Sequence, residues 1–281
     1  MPCNLVDARV TATLPGMEYA ARIAAVEREL ADLTAAVAAG EPDARVPTCP
    51  DFSLDDLAAH VGEFCGFWTH VLCEGTGRPK TPYSTSVVPG GRPAWLAALA
   101  GHLVAELRAV RADQAVWTWH PTDHTAAFVA RRANHETAVH RVDAQLAASG
   151  TAGEVAPPEL AADGIDEVLM LVTESAADPR TAGRRQSAAR RQSAARRGQT
   201  LALEATDHAV SGAPAAWLIH LDPAGTRAER AGRGADPADL TLRGAVSDLE
   251  MTLYQRPVRG PVERIGDPSV LDSFYAEFTF T

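Results

Sequence analysis

Apolar residues recur at helical spacing through most of the first half of the chain. They fall three or four residues apart, as on one face of an amphipathic helix, and Gly or Pro ends the first of these patterns. The pattern covers residues 17–37, 53–72, 93–111 and 123–149. The sequence therefore predicts four helices of bundle length within a first domain at residues 1–152.

The second half of the chain has a different pattern. One helical stretch at 158–176 is followed by β-like runs at 199–205, 215–221 and 240–242, and then by short helical stretches at 245–254 and 268–278. Strands and helices that are grouped in this way indicate a small α+β domain. We therefore expect a mainly α protein whose four-helix bundle is followed by an α+β domain at 153–281.

Two segments show neither helical nor strand periodicity. Residues 75–92 are rich in Gly, Pro, Ser and Thr, which predicts a long loop that borders a pocket. Residues 182–198 form a basic low-complexity loop that contains Arg-Arg-Gln-Ser-Ala-Ala twice in succession. We interpret this loop as a solvated expansion. An anion-binding arm, or phosphorylation at Ser187 or Ser193, is the alternative.

Composition and charge narrow the class of protein. The 281 residues are 46% hydrophobic and 22% charged, values typical of soluble globular proteins. The formal net charge of −10 argues against a general nucleic-acid binder. No apolar run reaches the length of a membrane span, and the N-terminus lacks the pattern of a signal peptide. We expect a cytoplasmic monomer or homodimer with neither nucleic acid nor membrane as a partner.

Candidate chemistry is concentrated on the fourth helical stretch. Glu136 and His140 are four residues apart, so their side chains share one helix face. A carboxylate and an imidazole in this arrangement can bind one divalent metal, and His60 is the candidate third ligand from another helix. Taken alone, the spacing favours a surface hydrogen-bonded pair of Glu136 and His140. A buried core histidine is the corresponding alternative at position 60.

Three segments together resemble one enzyme family. Two of them are Val46-Pro-Thr-Cys-Pro-Asp-Phe-Ser-Leu-Asp-Asp-Leu-Ala-Ala-His-Val-Gly62 and Arg131-Arg-Ala-Asn-His-Glu-Thr-Ala-Val-His-Arg-Val-Asp-Ala144. The third is Leu242-Arg-Gly-Ala-Val-Ser-Asp-Leu-Glu-Met-Thr-Leu-Tyr-Gln-Arg256. They resemble the mycothiol-dependent maleylpyruvate isomerase family. The resemblance implies a DinB-like four-helix bundle followed by a small α+β domain similar to sterol carrier proteins.

The resemblance also implies a metal site. The metal ligands of the family fall on His60, Glu136 and His140, and the implied ion is Zn²⁺, with mycothiol as the thiol cosubstrate. These three residues are then catalytic as well as metal-binding. Asp143, one turn beyond His140, is placed to orient the His140 ring. His135 points about 100° away from Glu136 on a helix, which makes it a poor fourth ligand.

Further residues are candidates for contacting the thiol or the substrate. Trp68, Trp119 and His135 are expected to bind the thiol cofactor. Arg256 of the second domain, or Arg259, is expected to supply a positive charge to a carboxylate-bearing substrate. The arginines at 131, 132 and 141 are expected to pair with acidic neighbours or to line the seam between the domains.

Thiol activation is the mechanism that the resemblance implies, and three outcomes stay open. The first expectation is a zinc-dependent S-transferase that adds mycothiol to a small electrophile. The second is a mycothiol-dependent cis–trans isomerase of the maleylpyruvate type, in which the thiol is released again. The third, from another class, is a non-catalytic sensor that binds a metal or a thiol. A purely structural bundle with a surface Glu136–His140 pair is the simplest alternative.

Overall fold

The structure is a computed structural model that describes residues 18–79, 90–153, 156–177, 198–210, 213–222, 225–231 and 237–277. Residues 17–155 form one compact unit, and residues 156–281 belong to a second. The basic repeat at 184–197 and the middle of the predicted loop, residues 80–89, lie outside the described residues.

The first unit contains the four helices that the apolar pattern predicts. They are α1 (Tyr19–Ala39), α2 (Leu54–Glu74), α3 (Gly91–Ala109) and α4 (Ala126–Ser149). Leu, Val and Ala side chains that point inward from all four helices form the core. Burial of this apolar surface drives the association of the helices, because each helix has one apolar face.

Contacts between side chains fix the directions of the four helices. Gly40 lies against Ala148, so α1 and α4 end at the same end of the bundle and run parallel. Gly62 lies directly against the Trp95 ring, and α2 runs parallel to α3. His60 meets α4 near its middle while Phe64 meets it one turn earlier, so α2 and α4 are antiparallel. The order along the chain is therefore up, down, down, up.

A short hairpin precedes α2. Strands β1 (Arg45–Val46) and β2 (Cys49–Ser53) pair antiparallel. Its last residue, Ser53, is the N-cap of α2. The Ser53 hydroxyl accepts a hydrogen bond from the Asp56 backbone N–H, and the Asp56 carboxylate accepts from the Ser53 hydroxyl and backbone N–H. These bonds to Ser53, the side-chain bond first, hold the pKa of Asp56 below its usual value.

The second unit is α+β, as predicted. Helix α5 (Pro158–Ala177) precedes a five-stranded sheet in the order β5-β4-β3-β6-β7, in which β3 and β6 are parallel and the other neighbours antiparallel. The strands are β3 (Gln199–Val210), β4 (Ala213–Asp222), β5 (Gly225–Ala231), β6 (Leu240–Gly244) and β7 (Glu263–Gly266). Helices α6 (Val246–Leu253) and α7 (Ser269–Glu277) follow β6 and β7 respectively.

Strands β5 and β7 are the elements of the sheet that the apolar pattern missed. Both are edge strands. All four residues of β7 are exposed, and β5 buries only Thr226. Their sequences therefore lack the apolar alternation by which a half-buried strand is recognised.

The Asp166 side chain connects α5 to the sheet through hydrogen bonds. Its carboxylate accepts hydrogen bonds from the Trp217 indole N–H at 2.8 Å and from two N–H groups of Arg230 at 3.1 and 2.5 Å. The Arg230 guanidinium also lies over the Trp217 ring, 5.2 Å from its centroid. One partly buried carboxylate thus satisfies donors from both β4 and β5.

None of the helices within the described residues is both long and apolar enough to span a bilayer.

Loss of the cap at Ser53 should destabilise the helix that carries His60. Ser53→Ala removes the hydroxyl acceptor, and we expect the free energy of unfolding to fall by about 1 kcal/mol. Urea denaturation followed by far-UV circular dichroism measures the change. Ser53→Thr keeps a hydroxyl at an extended position and should retain most of the stability; equal losses in the two variants would contradict the capping role.

Removal of the Asp166 carboxylate should weaken the second unit. Asp166→Ala leaves the Trp217 and Arg230 donors without this acceptor, so we expect the free energy of unfolding to fall by about 2 kcal/mol, allowing for the partial exposure of Arg230 and Asp166. The matched control is Asp222→Ala, which breaks the exposed Asp222–Arg227 pair on the same sheet. That loss should stay below about 1 kcal/mol. Thermal unfolding of both variants distinguishes the two contributions, and similar losses would refute the assignment.

Candidate metal centre

His60, Glu136 and His140 meet between the antiparallel helices α2 and α4. His60 lies within the second turn of α2, and the other two residues lie one turn apart near the middle of α4. Their ligand atoms all fall within 4.8 Å of one another. Among the described residues, this is the one group of three His, Cys, Asp or Glu side chains close enough to bind a common ion.

Glu136 Oε1 is the centre of this group. It lies 3.0 Å from His60 Nε2 and 3.3 Å from His140 Nε2. The two imidazole rings stand edge to face, with their centroids 5.0 Å apart. Two imidazole nitrogens and one carboxylate oxygen thus converge. His60 and Glu136 are 76 residues apart in sequence.

The donor set fits a tetrahedral divalent ion such as Zn²⁺. Zinc bonds of about 2.0–2.1 Å place neighbouring ligands about 3.3 Å apart in a tetrahedron, close to the two separations around Glu136 Oε1. Two imidazoles and one carboxylate are also a ligand combination that zinc accepts, and three protein ligands leave one position open. His60, Glu136 and His140 therefore fit the Zn²⁺ ion that the family resemblance implies.

His60 is held in its neutral form. Burial, followed by the charge of the neighbouring His140 ring, lowers the pKa of His60 to about 4. A neutral imidazole has a free lone pair on one ring nitrogen, which metal binding requires. At neutral pH no proton has to be removed from His60 before it can act as a ligand.

Asp143 orients the His140 ring, as expected from its position one turn further along α4. The fully buried Asp143 carboxylate has Oδ2 2.9 Å from His140 Nδ1. Its other oxygen accepts a hydrogen bond from the Thr48 hydroxyl at 2.5 Å. Because Nδ1 donates to Asp143, the lone pair of Nε2 faces Glu136 and His60.

Sequence reasoning missed Thr48, which lies in the turn of the β1–β2 hairpin. The available signal was its place in the Pro-rich segment that carries the family resemblance. No spacing rule connects this turn to a helix about a hundred residues later, so its contact with Asp143 required the structure. The hairpin thus supports the metal-binding face of α4 from outside the bundle.

Two of the arginines of α4, Arg132 and Arg141, pair with acids. Arg132 donates to Glu136 Oε2 across one helical turn, and its guanidinium lies 6.0 Å from the centroid of the Phe64 ring on α2. Arg141 donates to Glu29 of α1 at 2.5 Å and to Gln145. The expectation of acidic partners is confirmed for these two residues. Arg132 differs because its partner is itself a member of the triad.

Trp68 and Trp119, predicted to bind the thiol, belong to two aromatic groups. Trp68 is 3% exposed and contacts Phe64, Phe67 and Trp117 with centroid separations of 5.2–6.4 Å. It lies two turns, about 12 Å, beyond His60 along α2. Trp119 is 40% exposed and packs edge to face on Phe128. The thiol contacts of both residues remain predictions.

His135 belongs to the first unit of the structure and Arg256 to the second. His135 is buried in α4 and is not among the clustered metal ligands, in agreement with its predicted direction. Arg256 belongs to the second unit, where its buried guanidinium donates to the Tyr254 carbonyl at 2.6 Å. The backbone N–H of Arg259 donates to Asp248. The predicted roles of His135 and Arg256 toward thiol and substrate remain predictions.

Comparison with known structures confirms the predicted fold class. The chain is similar to two crystal structures of mycothiol-dependent maleylpyruvate isomerase, one of them a histidine-to-alanine mutant. The mutant has a TM-score of 0.54 at 14% identity, and the other structure 0.50 at 15% identity. Each match covers 88% of this chain and 93% of the other. At this identity the likeness establishes the fold, which includes both the helical and the α+β parts.

Comparison of the sequence with known protein families gives a match within the first unit. No curated protein matches the chain significantly. Residues 23–145, which include the whole triad, match the family model of the mycothiol maleylpyruvate isomerase N-terminal domain. The match of residues 23–145 to this family model supports the family resemblance seen in the sequence.

Proposed function

We propose that this protein is a mycothiol-dependent cis–trans isomerase of the maleylpyruvate type, with a Zn²⁺ ion held by His60, Glu136 and His140. The observation that carries the proposal is the convergence of these three ligand atoms inside the domain that matches the family model. The proposed partners are one low-molecular-weight thiol and one small electrophile. We place the protein in the cytoplasm, as a monomer or homodimer.

The chemistry of the proposed site depends on a thiolate. When bound, a divalent cation would act as a Lewis acid that lowers the pKa of a thiol beside it. The thiol sulfur would add to one carbon of a cis double bond conjugated to a carbonyl group. Rotation about the resulting single bond and loss of the same thiol would then restore the double bond in the trans form.

Residues of this chain prepare the site for that reaction. His60 is already neutral near pH 7, and Asp143 holds His140 with Nε2 toward the other two ligands. Such support from outside the ligand set commonly contributes tenfold to a hundredfold in metal affinity. We assign Arg256 to the negative charge of the substrate, and Trp68, Trp119 and His135 to the thiol, as the sequence motifs suggest.

The alternatives differ in the fate of the thiol. An S-transferase, the first expectation from sequence, would share the triad and the addition step but would retain the carbon–sulfur bond. The family of residues 23–145 favours the isomerase over this reaction. A sensor would bind the metal or thiol without turnover.

Substitution of a triad residue should abolish metal binding. We expect wild-type protein to hold one zinc per chain, and His60→Ala or Glu136→Gln to weaken zinc binding by more than about 100-fold, beyond the effect of outer partners. Elemental analysis after dialysis measures the zinc content. His70→Ala is the matched control, because His70 lies on the same helix but pairs with Glu74. Full zinc content in His60→Ala would overturn the metal assignment.

The concentration of free thiol during the reaction should distinguish the isomerase from the S-transferase. With mycothiol and a cis-configured keto-dicarboxylate, we expect the alkene to change geometry by proton NMR while the free-thiol titre stays constant. Chelator treatment should stop the reaction, and added zinc should restore it. A one-to-one loss of thiol with a stable thioether would instead identify an S-transferase, and metal binding without either change would identify a sensor.

A further inference from the structure

The two oxygens of the Glu136 carboxylate have different partners. Oε1 faces the two imidazole nitrogens at 3.0 and 3.3 Å, whereas Oε2 accepts a hydrogen bond from the Arg132 guanidinium. The carboxylate is thereby oriented so that a single oxygen points to the centre of the triad. The division follows from α4 itself, because positions 132 and 136 are one turn apart.

Packing between two helices restricts Arg132. Its side chain is only 12% exposed, and its guanidinium lies over the Phe64 ring of α2 while donating to Glu136 of α4. An exposed ion pair of this spacing would be weak and mobile. Here the cation is confined on one side by an aromatic face and on the other by the carboxylate, so it has little freedom to leave Oε2.

A carboxylate ligand can bind a metal through one oxygen or through both. With one oxygen, the triad supplies three ligand atoms and leaves room for an incoming group; with both, Glu136 would occupy the next position as well. An unpaired and mostly buried Oε2 would take the nearest cation as its partner. At this site the nearest cation after Arg132 would be the metal.

We propose that Arg132 is a positioning residue that restricts Glu136 to one metal-ligand oxygen and so keeps a coordination position open for the thiol. The inference rests on the proposed function, since it requires a metal at the triad. The proposed role distinguishes two properties, thiol access and metal retention, which substitution of a purely structural residue would change together. Arg132 governs access of the thiol to the metal, and the triad governs retention of the metal.

The test uses the full-length protein loaded with Co²⁺, whose visible absorption is intense in four-coordinate sites and weaker at higher coordination numbers. We expect Arg132→Met to retain one Co²⁺ per chain with visible bands that differ from those of wild type, because the second Glu136 oxygen would enter the ligand set. N-acetylcysteine should bind to it at least tenfold more weakly, as measured by titration of the sulfur-to-cobalt charge-transfer band. Methionine keeps the helix propensity and much of the apolar stem that packs on Phe64.

Two further variants serve as controls. Arg131→Met removes the same charge from the neighbouring position and should leave both the spectrum and the thiol affinity as in wild type. Arg132→Lys keeps the charge without the planar fork and should give a partial effect. It also provides the decisive comparison if Arg132→Met does not fold, which far-UV circular dichroism would reveal.

Two outcomes would overturn the proposal. If Arg132→Met, or Arg132→Lys in its place, shows a wild-type cobalt spectrum and wild-type thiol affinity, Arg132 does not control the ligand oxygens. If the variant folds but loses cobalt, Arg132 is needed to hold the metal and does not regulate access. Failure of the metal site on which the proposed function rests is distinguishable from both, because wild-type protein would then bind no cobalt at all.

Discussion

The antiparallel packing of α2 against α4 is the constraint on which the site depends. It brings His60 to the level of Glu136 and His140, and it sets Phe64 opposite Arg132 one turn away. Helices α2 and α3 run parallel, whereas α2 and α4 are antiparallel. A simple up-and-down order would give α2 a different set of neighbours.

The candidate metal site combines neutral and charged groups. His60 is neutral because burial disfavours its protonated form, and His140 is fixed by a buried carboxylate. Glu136 carries the one negative charge among the three ligands, and Arg132 lies beside it. The Arg132 cation therefore offsets the negative charge of Glu136, while the Asp143 carboxylate lies beside His140.

Local sequence patterns predicted the elements that bury an apolar face and the shared helix face of Glu136 and His140. The four helices and the central strands have that face, and Glu136 and His140 share a helix. The edge strands β5 and β7 escaped prediction because they bury almost nothing. The Thr48–Asp143 contact escaped because it joins a turn to a helix without a periodic signal, and His60 could be linked to α4 only through the family resemblance.

The β1–β2 hairpin has a consequence for how the site assembles. Within six residues it provides both the hydroxyl that holds Asp143, and through it His140, and the cap that starts the helix of His60. One short local structure thus positions His60 and His140, which come from distant parts of the chain. Because the hairpin closes only a short loop, it can form early in folding with little loss of chain entropy. Insertions into this hairpin would shift the two histidines relative to each other, even though neither residue is in the hairpin.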